Sequence, residues 1–523
     1  MAVLSWDSRT TAAALSGALV VAICGVPVVW LAFEAVANAD LMIWTRSAAL
    51  LARSLILSLL AAALATGLGA AAAGALNRVD RQRGVLIGLL VIPLLIPSYI
   101  HALSWSGLLS DSRWLRRAAG PVTDMASWSL SIWVLTVSYY PVAMLVILAA
   151  LRRWDDRFTW SAWAHGQGPD AVRRLRMQYL RAPALAAFLV IFLLVFGDFA
   201  VPDFFQIDTY ATRIFVQVSS YLDTSGAMGL VVPVMIVVLV GFGVLARMSA
   251  RLALMGSYGL PAVERSPREM SRSPWMARVL AGALVLSIVI IPLGSLVRMT
   301  GTAHVLPKAL SMIKDDAATG YLLALSVAAL TVVIALFAAY ALQRRLLPGG
   351  LWIRLLVCLL FAVPASLLGL WAIRAWNQSS LLGWGYDCGL ALLLALSARW
   401  LPLGLELLII AWRQVGAPQE EAALACGVAW LPTLRRILLP QLGPALGVAF
   451  LLITAFSFNE LTLVTLLAPP GLSTLTLRMF QTVHYGSPSL LAAICLWHVV
   501  FLLVPIAALL LVMRRWQTRL SGQ

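Results

Sequence analysis

The sequence predicts an all-α integral membrane protein of about 12 transmembrane helices, arranged as two parallel six-helix repeats. Three observations carry this. Hydrophobic residues make up 61% of the chain and charged residues 11%, with a mean hydropathy of +0.91, whereas a water-soluble domain carries about 25% charged residues. Apolar runs near the ~20 residues needed to cross a bilayer recur along the whole chain. The chain also repeats itself after half its length.

The apolar runs fall near residues 12–33, 48–76, 85–109, 129–151, 184–201, 229–250, 278–298, 320–343, 351–375, 388–412, 444–467 and 490–513. The first exceeds a secretory apolar core and lacks a small-residue cleavage site, so it is expected to stay as an anchor. The second is long enough to tilt or to leave the lipid.

Charge then orients the spans. If the loop after the tenth run is cytoplasmic, and basic residues near the ends of the runs are counted with the side they adjoin, the inner side holds 26 of the 38 Lys and Arg and the outer side 11. The remaining one, Arg399, lies near the middle of a run. This imbalance follows the positive-inside rule. Arg113, Arg116 and Arg117 are the exception, on the outside. The net charge of +16 is thus a topology signal, with no nucleic acid partner implied. Five cysteines without a CxxC pair and five scattered histidines predict neither a disulfide framework nor a metal site; His484 and Tyr485, adjacent, read as structural.

At an offset of 261 residues Pro141 falls on Pro402, Arg152 on Arg413, Gly166 on Gly427 and Pro183 on Pro444. At 266, Arg78 falls on Arg344 and Trp105 on Trp371. Residues 1–250 and 277–523 are therefore expected to be two copies of one unit with the same topology. A polar linker, 251–276, carries Pro261, Pro267 and Pro274.

The most distinctive stretch is polar, EEAALACGVAWLPTLRRILLP from Glu420 to Pro440. Glu and Ala favour a short helix, Gly427 permits the positive φ that ends it, and Pro432 suits the first turn of a second helix. Glu421-Ala422-Ala423, Gly427, Ile437, Leu439 and Pro440 match the "EAA" signature, and the segment resembles that of membrane subunits of ATP-binding cassette importers. The resemblance implies that this knob sits in a groove of a separate ATPase. The first repeat offers a counterpart from Trp160 to Pro183 that has drifted from the pattern: Trp160 replaces Glu421, Arg176 replaces Ile437 and Tyr179 replaces Pro440. Gly166 remains, with Asp170 as expected N-cap of a basic helix.

Charged residues in a lipid-spanning run cost about 2.5 to 3.5 kcal/mol each on insertion scales, so each needs a partner or a water-filled cavity. Arg399 and Glu406 lie seven residues apart on one helix face, about 10 Å along it, too far to touch without bending. Asn459 and Glu460 close the eleventh run, and Asp198 holds the place of Asn459 in the first repeat. These five residues are candidates for the transport path or its gate, or for interhelical pairing. Beyond them come two weakly amphipathic segments, TYATRIFVQVSSY and TLTLRMFQTVHYG, in which Arg213 and Phe215 match Arg478 and Phe480.

With FGDFAVPDFF, FNELTLVTLLAPPG and VHYG, the layout resembles permeases of ferric-iron-type ATP-binding cassette importers, whose relatives carry thiamine and, more distantly, polyamines or phosphonates. The resemblance implies a bacterial inner-membrane location with cytoplasmic termini, a periplasmic solute-binding protein and two copies of a cytoplasmic ATPase. The chain has two lysines, Lys308 and Lys314, and neither completes a phosphate-cradling loop, so any ATP is used by a partner and no cofactor is expected here. A secondary transporter of major facilitator type is the main rival, on the strength of GALNRVDRQRG from Gly74 to Gly84, where the glycine and basic pair stand in the wrong order. No paired carboxylates, HExxH or GxSxG favour a membrane enzyme.

Overall fold

A computed structural model describes residues 8–37, 41–79, 82–111, 124–154, 156–221, 223–256 and 274–521. All of the regular structure among them is helical. The basic outer loop at Arg113 and most of the linker lie outside the described residues, as does the side chain of His484.

The first part of the chain runs α1 (Ser8–Val20), a π-turn (Val21–Gly25), α2 (Val26–Ala37), α3 (Leu41–Asn77), α4 (Arg83–Leu95), α5 (Ser98–Asp111) and α6 (Asp124–Arg152). Then come α7 (Asp156–Ala164), α8 (Pro169–Phe196), α9 (Ala200–Phe204), α10 (Tyr210–Ser219), α11 (Thr224–Gly229) and α12 (Val231–Gly256). The second part opens with α13 (Pro274–Val285), a π-turn (Leu286–Ile290), α14 (Ile291–Thr300), α15 (Val305–Gln343), α16 (Gly350–Ala362), α17 (Ala365–Trp376), α18 (Ser380–Asp387) and α19 (Leu390–Gln414). It closes with α20 (Ala417–Ala425), α21 (Trp430–Thr433), a π-turn (Leu434–Leu438), α22 (Leu439–Phe458), α23 (Thr462–Leu467), α24 (Leu475–Tyr485) and α25 (Pro488–Ser521).

Among the described residues, nine helices are long and apolar enough to cross a membrane, and two bent pairs bring the count to 11. This makes the chain an all-α integral membrane protein. Large apolar side chains such as Val29, Phe33, Leu64, Val240 and Leu322 are exposed along the helices, as lipid-facing surface requires.

The third and ninth apolar runs differ from the straight spans expected of them. Helices α4 and α5 meet at 93°, and α16 and α17 at 105°. Pro97 and Pro364 follow the breaks, and a residue before proline is pushed out of helical geometry. Ile96 (ψ 131°) and Val363 (ψ 128°) are accordingly extended. The sixth run is represented by a shorter apolar helix, Val231–Val244. The eleventh shifts: it begins at Trp430 and stops at Phe458, so the second helix of the polar pair continues into the span.

Two compact units make up the chain, one of Met1–Asp40, Ile214–Val232 and Ala303–Gln523, the other of Leu41–Arg213 and Pro233–Thr302. Their boundaries cross the sequence halves. In the first unit α1 packs on α15, and Gly17 faces the Leu347 side chain closely enough that a Cβ would meet it at 2.8 Å. In the second unit Ser295 of α14 donates to the Ser104 carbonyl of α5 at 3.0 Å.

Each unit is built around two parallel helices. In one, Gly404 of α19 lies against Thr331 and Ala335 of α15, and farther along Trp412 Nε1 donates to the Leu336 carbonyl at 3.1 Å. In the other, Gly69 of α3 lies against α6, where a Cβ would come 2.7 Å from the Tyr140 carbonyl and the Met144 amide. Because α15 and α19 end on the same side, the chain between them must climb the full ~37 Å of α19, at about 1.5 Å per residue. The bent pair α16 and α17 makes that climb, and so acts as a broken span.

Candidate functional site

The helix pair around Glu420 is fixed to the unit by a buried ionic and aromatic clamp. Glu420 is 2% exposed. Its carboxylate accepts from Tyr340 Oη at 2.5 Å and from Arg344 Nε at 2.8 Å. Arg344 also lies over the rings of Tyr340 and Trp412, and the Tyr340 ring packs against Trp412 and Trp430 at 5.1 and 5.4 Å. A buried carboxylate in such company is strongly tied, since removing one partner of a buried pair costs about 3 to 5 kcal/mol. Glu420 thus fastens α20 to the ends of α15 and α19.

The turn that follows is a helix stop of the Schellman type. Gly427 has φ +80°, its N–H bonds the Leu424 carbonyl at 3.0 Å, and the Val428 N–H bonds the Ala423 carbonyl at 3.0 Å. The second helix then starts at Trp430, with Pro432 in its first turn. A π-turn interrupts it just before Pro440, which has no N–H to give. Gln441 Nε2 reaches back to Gln419 Oε1 at 2.7 Å and braces the two helices.

The signature residues divide by exposure. Glu421, Ala422, Gly427 and Pro440 are exposed, while Ala423 and Leu439 are half-buried. Beside them Cys426, Val428, Arg435 and Arg436 are exposed, and Leu431 is 53% exposed. A rigid backbone therefore presents one acidic residue, small residues and a few apolar ones. Sequence reading singled out Glu421 and missed its neighbour Glu420, along with Tyr340, Arg344 and Trp412. The adjacent EE pair was the only local hint.

The first-repeat segment has the same backbone. Gly166 has φ +68°, its N–H bonds the Trp163 carbonyl at 2.9 Å, and the Gln167 N–H bonds the Ala162 carbonyl at 2.9 Å. Thr159, 261 residues before Glu420, is buried and accepts from Trp154 Nε1 at 3.3 Å. Arg176 lies over the Trp154 ring, which also meets Tyr179 edge-on. Asp170 is not the N-cap: Gly168, extended at ψ 176°, takes that place, Pro169 starts the helix, and Asp170 sits in its first turn. There it still favours the helix dipole. The exposed chemistry is aromatic and basic, with Trp160 and Trp163 packed edge to face at 5.4 Å and Arg173 and Arg174 exposed nearby.

The polar residues within the spans have separate partners. Arg399 and Glu406 do not pair with each other. Glu406 takes a two-pronged bond from Arg354, Nε to Oε1 and Nη2 to Oε2, each at 2.6 Å. Arg399 Nη1 donates to the carbonyls of Val363 at 2.7 Å and Phe361 at 3.3 Å. Those carbonyls end α16 at its break, so Arg399 caps a broken helix. In the other unit, His101 Nε2 meets the Pro93 carbonyl at 3.1 Å, the one that Pro97 four residues on cannot satisfy. Asp198 accepts from Tyr139 Oη at 2.9 Å, Ser98 Oγ at 3.1 Å and the Val201 N–H at 3.3 Å. Asn459 Oδ1 meets His498 Nε2 at 2.8 Å, and Glu460 Oε1 accepts from the Leu463 N–H at 3.4 Å.

No family model matches the chain. It is 32% identical over 129 residues to the ferric transport system permease protein FbpB of Actinobacillus pleuropneumoniae, a match covering 25% of this chain and 18% of that protein. It is 35% identical over 130 residues to the putative ferric transport system permease protein FbpB 1 of Haemophilus influenzae, covering 25% and 20%. The match spans about a fifth of the length of these relatives. A quarter of the chain is thus similar to transport permeases.

Proposed function

We propose that this chain is the membrane-spanning permease of an ATP-binding cassette importer that moves a small solute, ferric iron by preference, into the cytoplasm. The observation that carries the reading is the helix pair at Glu420 to Pro440. Its anchor Glu420 is buried, while Glu421 and Leu431 on its outer face are exposed. A knob held by a buried ion pair and continuous with the span Trp430–Phe458 transmits force well.

In this reading two copies of a cytoplasmic ATPase clasp the two helix pairs, and ATP is hydrolysed by those subunits alone. A periplasmic solute-binding protein delivers the solute on the opposite face. The chain sits in the bacterial inner membrane with both termini cytoplasmic, as the Lys and Arg distribution favours. The two sequence halves, 1–250 and 277–523, supply one helix pair each. Ferric iron is favoured because the relatives of the matched quarter are named for ferric transport. The test is reconstitution with a cognate ATPase and binding protein in vesicles. ATP-dependent uptake of radiolabelled ferric iron supports the proposal. Uptake of thiamine, a polyamine or a phosphonate keeps the permease and replaces the solute.

A further inference from the structure

We propose that Ser98, Tyr139 and Asp198 form a binding site for a hard trivalent cation of the ferric class, an inference that rests on the ferric reading above for the choice of ion and is tested apart from transport. Three elements of one compact unit bring the side chains together. Ser98 opens α5 just after the 93° bend, Tyr139 sits in α6, and Asp198 follows the end of α8. Tyr139 Oη at 2.9 Å and Ser98 Oγ at 3.1 Å both donate to the same carboxylate oxygen, Asp198 Oδ2. The other oxygen, Oδ1, accepts from the Val201 N–H at 3.3 Å. All three residues are half-buried, so none is sealed in the core.

The spacing suits a small cation. Oxygens held octahedrally at about 2.0 to 2.1 Å from an ion stand about 2.9 Å from their neighbours, and Oδ2 lies 2.9 and 3.1 Å from the two hydroxyls. An ion set beside Oδ2 reaches both hydroxyls through small side-chain rotations and takes the place of the two hydrogen bonds.

The donor set selects the charge of the ion. Among the described residues no three His, Cys, Asp or Glu side chains converge as for a metal ion, so a cation here must use hydroxyl oxygens as well. Carboxylate and hydroxyl oxygens suit hard cations. A phenol of pKa about 10 keeps its proton at neutral pH unless a highly charged ion takes its oxygen. Binding leaves the ion on a carboxylate, a phenolate and a neutral hydroxyl, and the phenol proton passes to water. A divalent ion such as Mg²⁺ holds its own water tightly and gains less from the phenolate.

The second repeat is the internal control. Ala365 follows its break as Ser98 follows the first, Trp400 stands where Tyr139 does, and Asn459 where Asp198 does. Helices α16 and α17 nevertheless bend by 105°, and Asn459 turns to His498. The fold does without the three oxygens, so their meeting in the first repeat serves something beyond it.

The experiment titrates the purified full chain in detergent, with no ATPase present, using ferric nitrilotriacetate. A phenolate-to-iron charge-transfer band in the visible is expected, absent in Tyr139→Phe, with half-saturation raised roughly tenfold or more in Asp198→Asn. In the wild type, Ga³⁺ is expected to bleach the band and a large excess of Mg²⁺ to leave it. No band in the wild type, a band that survives Tyr139→Phe, or a band that Mg²⁺ removes overturns the site. A wild-type chain that shows the band yet drives no uptake with its ATPase and binding protein overturns the permease reading instead.

Discussion

Glu420 and Arg344 form a buried ion pair at 2.8 Å that joins α20, the first helix of the polar pair, to the end of α15, 76 residues earlier. Its neighbour Glu421 is exposed. Two adjacent glutamates thus have opposite tasks, one holding the knob and the other facing outward.

Glu420→Ala should unfasten the knob by leaving Arg344 unpaired, at a cost of about 3 to 5 kcal/mol. The expected result is a lower thermal midpoint of the purified protein together with loss of the ATPase from pull-downs. Glu421→Lys should lose the ATPase with the thermal midpoint unchanged. Equal destabilisation by both changes would refute this division.

The turn at Gly427 gives a graded test. Space around its Cβ is open, so Gly427→Ala pays only for the left-handed φ of +80°, about 1 to 2 kcal/mol. Gly427→Pro cannot adopt a positive φ at all. Uptake should fall modestly for alanine and vanish for proline, while both proteins still insert into the membrane. Full transport by the proline variant would contradict the rigid turn.

Arg399 is expected to act on stability more than on selectivity, because it satisfies the Val363 and Phe361 carbonyls at the break of α16. Arg399→Met should cost about 1 to 3 kcal/mol for the carbonyls left unsatisfied. His101→Leu should do the same at the Pro93 carbonyl. A thermal melt checks both, and a change of preferred solute in place of a lowered melt would restore Arg399 to the path.

The spans, the knob and its glycine turn were legible in the sequence because apolar runs and a positive-φ glycine are local signals. The breaks at Ile96 and Val363 were missed although Pro97 and Pro364 were in view, since hydropathy is blind to a backbone turn inside a continuous apolar run. The burial of Glu420 depends on Tyr340, 80 residues away, and no local pattern encodes it. Likewise, the packing of α1 on α15 rests on distant apolar surfaces. Asp170 was read as a cap because acidic caps are common, yet Gly168 and Pro169 start the helix there.

The two helix pairs share a backbone and differ in chemistry, so their contacts with the ATPase should be unequal. Glu421→Lys is expected to cost more uptake than Trp160→Ala, because reversing charge at a partly buried interface is dearer than trimming an aromatic whose neighbour Trp163 remains. Trp160→Glu should be tolerated, as the other pair already carries an acid there. Uptake measured for all three in the same membranes decides it, and a larger loss for Trp160→Ala would show that the first pair has a specialised contact.

The most direct measurement is ATPase turnover by the purified chain, first alone and then with the cognate ATPase in vesicles. The account predicts no hydrolysis by the chain alone, and with the partner present an ATP-dependent ferric iron uptake that Glu421→Lys abolishes. Hydrolysis by the chain alone, or uptake undiminished by Glu421→Lys, would contradict it.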